Sequence, residues 1–206
     1  MVNEKNTNIL TNDTPKEIKD LFDKGVSAFN RKNYEYAIEL FSQILRLKFD
    51  FAEARHYLRL AEQKFFKEHP PKLLSRILNR FYCFFYGLRA SIFYLQNNIK
   101  RSVDEYEKLL RKEPFDEKAL LKLARIFQKI NDANSALRLF EEVVQLKPKN
   151  IEALKRLGEL YIKTDDLPRA RSCFNAVLSI SPYDLDAEKF LRNLDALGTL
   201  KKNFHQ

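Results

Sequence analysis

Reactive side chains are few in this chain of 206 residues, and none stands where it would work with another. Cys83 and Cys173 lie in apolar, helix-patterned contexts far apart, without the close spacing of a metal or redox pair, and read as small core residues. His56, His69 and His205 are equally scattered, so a zinc site would need three remote ligands to converge. The acid pairs Glu141-Glu142 and Asp165-Asp166 fall on a helix face and in a turn, where solvation accounts for them. Only four glycines occur, Gly25, Gly87, Gly158 and Gly198, too few for phosphate-cradling loops or nucleophile elbows. The expectation is a chain with no catalytic residues, no metal, no cofactor and no small-molecule substrate.

The chemistry that remains is charge recognition. Net charge is +9, and between Lys64 and Arg101 lie Lys64, Lys67, Lys72, Arg76, Arg80, Arg89, Lys100 and Arg101 against the single acid Glu68. Such a block suits an acidic partner, whether peptide, nucleic acid or anionic membrane surface, unless it is merely a solvated helix face. The opening MVNEKNTNILTNDT has no charged-then-apolar signal pattern, and no run approaches the ~18 apolar residues of a membrane span. The expected location is the cytoplasm.

The elements that must position these charges are helices. Scarce glycine leaves little for tight hairpins, and 45% apolar with 32% charged residues is an ordinary soluble composition. Residues 117–150 and 151–184 are one 34-residue unit written twice. Leu120 matches Leu154, Leu123 matches Leu157, Ala124 matches Gly158, and Phe127 matches Tyr161. Ala136 matches Ala170, Phe140 matches Phe174, Val143 matches Val177, and Pro148 matches Pro182, so these residues are expected to pack. Residues 18–51 form a diverged copy through Leu21, Gly25, Ala28, Ala37, Phe41 and Ile44, with Phe49 in the proline slot. Residues 83–116 form another through Tyr86, Ala90, Phe93, Ser102, Tyr106, Leu109 and Pro114, while 52–82 is shortened and irregular. Small residues at Gly25, Ala124 and Gly158 mark close approach of two helix axes.

A period of 34 with these large, small and aromatic slots resembles the tetratricopeptide repeat. The resemblance implies an all-α, right-handed α-solenoid of helix pairs over residues 16–200, whose first helices line a concave groove that holds a peptide or partner helix, without enzymatic activity. Residues 185–197 then read as a C-terminal capping helix ended by Gly198, with a disordered tail over 1–15 and a flexible one over 198–206. Helix formation is expected to begin near Pro15, with Thr14 as cap.

Residues 72–95 are ambiguous. Leu74, Ile77, Leu78, Phe81, Phe85, Leu88, Ile92 and Leu95 make one helical stripe, which is usually a buried one. The same segment mixes Arg76, Arg80 and Arg89 with Phe81, Tyr82, Phe84, Phe85, Tyr86, Phe93 and Tyr94, as interfacial helices do, so peripheral membrane association is the alternative function. Pattern alone leaves open whether this helix breaks near Asn79–Cys83. Nucleic-acid binding has no accompanying motif and is not expected.

In the repeat register, groove-facing residues are Phe84, Leu88 and Tyr94 of one unit, Lys118, Lys122, Arg125 and Lys129 of the next, and Lys155 and Arg156 of the last. An apolar pocket beside a cationic strip suits a protein or peptide that inserts hydrophobic anchors and trails acidic residues. Relatives that clamp a C-terminal carboxylate use a lysine and two asparagines. Here the asparagine slots hold Ser91, Arg125 and Glu159, so that specificity does not carry over.

Overall fold

A computed structural model describes residues 15–203, with side chains as far as Ala196. Among the described residues are ten helices: α1 (Lys16–Asn30), α2 (Tyr34–Leu47), α3 (Ala52–Glu68), α4 (Leu73–Leu95), α5 (Ile99–Lys112), α6 (Glu117–Lys129), α7 (Ala133–Leu146), α8 (Ile151–Lys163), α9 (Leu167–Ile180) and α10 (Leu185–Asn203). The fold is all-α, a helical repeat of the solenoid class.

Paired polar residues set the helix boundaries. Asn97, Asn131 and Asp165 adopt positive φ (57°, 61° and 61°), each ending the first helix of its pair, and they recur at the repeat period. Asparagine and aspartate tolerate this left-handed conformation better than other non-glycine residues. The next residue caps the second helix: Asn98 accepts from the Arg101 backbone N–H (3.3 Å), Asp132 from Ser135 (3.0 Å) and Asp166 from Arg169 (3.2 Å). The pair Asp165-Asp166 thus builds a turn and is not simply solvated. First helices are capped likewise, Asp116 accepting from Ala119, Asn150 from Ala153 and Asp184 from Ala187, at 2.9, 2.9 and 3.0 Å. Phe51 occupies that cap slot before α3, forms no side-chain cap and is buried instead.

The described residues form two compact units, one ending at Phe85 and including Arg111–Pro114, the other comprising Tyr86–Leu110 and Phe115 onward. In the first, Phe22, Phe41 and Tyr57 enclose the space between α1, α2 and α3, with Phe41 and Tyr57 stacked at 5.5 Å and Phe22 edge-on to both. The carboxylate of Glu62, buried on α3, pairs with the equally buried Arg59, whose other nitrogen donates to the Pro114 carbonyl at 2.5 Å. In the second unit Leu120, Leu123, Phe127, Ala136, Phe140 and Val143 are fully buried, as are Ala170, Phe174 and Val177 in the following pair. Phe190 of α10 stacks on Phe174 at 4.6 Å and covers the end of that core. Cys83 and Cys173 are buried thiols, and burial first, then Glu141, pushes the Cys173 thiol up to about 11.

Several expectations are corrected. Pro148 and Pro182 are exposed, because their part is to stop a helix and not to pack. The first helix starts at Lys16 with Pro15 as its cap residue and no side-chain cap; Thr14 lies outside the described residues. Helix α10 continues through Gly198 to Asn203, since a glycine ends a helix only where it turns left-handed and otherwise costs just ~1 kcal/mol. The tails expected over 1–15 and 198–206 otherwise lie outside the described residues apart from Pro15 and this last helical turn. Helix α4 runs unbroken, and its apolar stripe is not core: Leu74 is 70% exposed and Phe81 61%, while Cys83 and Ala90 on the opposite side are buried. A helical stripe identifies one face but not what covers it.

The small slots of the first helices fix helix spacing. A β-carbon added at Gly158 would sit 2.7 Å from the Phe174 ring, and one at Gly25 would sit 2.8 Å from the Phe41 ring. Gly158→Leu should therefore overpack the α8–α9 pair and cost ~1–3 kcal/mol. A thermal melt showing an unchanged midpoint would disprove that packing.

Candidate functional site

The candidate surface is built by α6 and the second half of α4. Lys118, Lys122, Arg125 and Lys129 recur every three or four residues along α6, so they share one face. All four are exposed, because the opposite face carries the buried Leu120, Leu123, Ala124 and Phe127. Helix α4 is held beside α5 by polar contacts: Ser102 donates to the Ala90 carbonyl (2.8 Å), and the Ser91 and Tyr106 hydroxyls meet at 3.4 Å. Glu105, buried on α5, receives Lys108 at 2.7 Å and Arg89 at 3.4 Å. Arg89 stands where the later repeats have core leucines, and this buried carboxylate explains the substitution. With that side of α4 anchored, Leu88 and Leu95 are left exposed. The Lys129 ammonium lies over the Tyr94 ring, 4.6 Å from its centroid, and joins the apolar patch to the cationic strip.

Charge along the strip is unevenly compensated. Arg125 forms a two-pronged ion pair with Glu152 of α8, and Arg156 pairs with Glu159 at 3.3 Å. Lys155 is half-buried and meets Asp184 at 2.8 Å and Asp186 at 2.9 Å. Lys118 and Lys122 make no ion pair among the described residues. The structure thus puts Lys118, Lys122, Arg125 and Lys129 on one face of α6, joins Tyr94 to it through Lys129, leaves Leu88 exposed on α4, and engages Lys155 and Arg156 with acids. Phe84 is exposed but belongs to the other unit. The acids Asp184 and Asp186 were not foreseen as partners of Lys155, although Asp116, Asn150 and Asp184 recur at the repeat period.

Residues 131–194 match the family model described as tetratricopeptide repeat. That segment is tetratricopeptide repeat in sequence, and the described helices share the fold of tetratricopeptide domains. The tetratricopeptide domain of P58(IPK) is similar over 91% of this chain and 67% of its own, at 14% identity and a TM-score of 0.58. The first such domain of Spaghetti (RPAP3), bound to the HSP90 peptide SRMEEVD, aligns with 57% of this chain and 93% of its own, at 17% identity and a TM-score of 0.51. The second domain of human RPAP3, in complex with the HSP70 peptide SGPTIEEVD, does so over 57% and 98%, again at 17% and 0.51. Identities this low show the fold alone. No curated protein sequence matches the chain.

Within the last tetratricopeptide pair, the Asp184 carboxyl is held below its ordinary value by the Lys155 ammonium first and the Ala187 backbone N–H next. A carboxyl depressed on folding stabilises the fold above its unfolded pKa and loses that contribution as pH falls through the folded value. Replacing Lys155 by Met should lower the melting temperature at neutral pH. The gap from the wild type should close as both are acidified below about pH 4. Melting curves recorded against pH check this, and a gap that persists in acid would show that the pair is not its source.

Proposed function

We propose that the chain is a non-catalytic interaction module of the cytoplasm that captures an extended protein segment, acidic with apolar anchors, on the surface of α6 and residues 86–95. The observation that carries the reading is the unpaired charge of Lys118 and Lys122 beside Leu88, Tyr94 and Leu95. Their neighbours Arg125, Lys155 and Arg156 are answered by acids of this chain. For Lys118 and Lys122 of the same helix that answer is missing, which leaves a surface complementary to carboxylates. Apolar side chains seated at Leu88 and Leu95 would supply affinity, and the lysines would supply approach rate and register.

The repeats with solved peptide complexes lend general support, since SRMEEVD and SGPTIEEVD are both acidic. The mode of capture differs here, because Ser91, Arg125 and Glu159 stand in the slots of the carboxylate-clamping asparagines. An internal segment is the fitting ligand, not a chain end.

Selection from a random peptide display library should enrich sequences with one or two large apolar residues flanked by acids. Capture of such a peptide, read by fluorescence anisotropy, should weaken with salt and fall at least tenfold, roughly one charge-assisted contact, in Lys118→Glu/Lys122→Glu. The same variant should melt as the wild type does, since both lysines are exposed. Enrichment of peptides without acids, or full capture by the double variant, would place the functional surface elsewhere.

A further inference from the structure

The first half of α4, in the other unit, carries a second surface. Between Leu73 and Phe85 only Cys83 is buried; Leu74, Ile77, Leu78, Phe81, Phe84 and Phe85 are exposed, Leu74 at 70% and Phe84 at 67%. Successive residues of a helix are turned by about 100°, so the pairs Ile77-Leu78 and Phe84-Phe85 spread the apolar face over roughly 120° of the circumference. Arg76 and Arg80 flank it on one edge, exposed and without an ion pair among the described residues, and the helix contains no acid.

We propose that residues 73–85 dock the protein onto an anionic lipid surface, the apolar face entering the headgroup boundary and Arg76 and Arg80 meeting the lipid charges. Three observations select this occupant. A convex face this wide suits a planar boundary, whereas a single partner helix seats on a narrower seam. Two copies packed through the same face would bring Arg76 and Arg80 together with no acid of the helix to offset them. No helix among the described residues is long and apolar enough to cross a membrane, so the contact is with its surface.

The test is co-sedimentation of the full chain with vesicles of phosphatidylcholine containing about a third phosphatidylserine, with pure phosphatidylcholine beside them. Binding is expected on the mixed vesicles and should weaken with salt. Arg76→Gln/Arg80→Gln should partition roughly 30-fold less, the product of two surface attractions. Ile77→Ser/Phe81→Ser should not bind at all, yet should keep the wild-type circular dichroism and melting temperature, because both side chains are exposed. Lys118→Glu/Lys122→Glu should bind vesicles as the wild type does, which separates this surface from the peptide-binding one. Absence of wild-type binding to mixed vesicles would overturn the proposal. So would sedimentation equilibrium showing a wild-type dimer that Ile77→Ser/Phe81→Ser dissociates. Equal binding to neutral and anionic vesicles would refute the role of the arginines.

Discussion

In two of the helix pairs a flat aromatic ring of the second helix is laid directly over a glycine of the first. Phe41 covers Gly25 and Phe174 covers Gly158, both so tightly that even a methyl group would have to displace a fully buried ring. Ala124 and Ala90 are the corresponding buried residues of the other pairs. Once this distance is set, Ala37, Ala136 and Ala170 on the second helices are enclosed completely, and the aliphatic residues around them have defined space to fill. Tyr161 shows what a polar group costs here. Its ring takes the place of Phe127, and its hydroxyl must then find a partner, donating to Glu141 at 2.5 Å. Burial first, and that bond second, push its pKa up to about 12.

Spacing alone does not turn the chain back on itself. Each return uses two adjacent residues, one held left-handed and one capping, and the amide side chains and carboxylates do both without glycine. That resolves an oddity of composition: a chain of ten described helices with four glycines has no left-handed glycine among the described residues. The first turn manages with Lys32 at φ 62° followed by Asn33 as cap.

The packing slots were legible in the sequence because a period of 34 repeats the geometry along with the residues, and apart from the helix-stopping Pro148 and Pro182 the residues named as matching between 117–150 and 151–184 are buried. The ion pairs were not. Arg125 and Glu152 are separated by a whole helix pair, and whether long side chains meet depends on rotamers that a linear pattern does not encode. Whether the stripe on α4 is buried was not legible for a different reason. Periodicity reports that apolar residues share a face, and an exposed face has the same period as a buried one.

Comparison of equivalent outward slots shows that α4 is apolar for reasons other than folding. Lys118 and Lys122 of α6 correspond to Glu152 and Arg156 of α8, all charged, yet to Phe84 and Leu88 of α4. The repeat therefore tolerates charge at these positions, and burial on α4 is supplied by Cys83 and Ala90 on the other side. A large apolar side chain contributes about 1.5–3 kcal/mol only when it leaves water. Phe81, Phe84 and Leu74 forgo most of that in the isolated chain, and the two phenylalanines also weaken the helix relative to alanine or glutamate. Neither helix propensity nor packing among the described residues accounts for them, whereas the proposed docking of this face would return that burial.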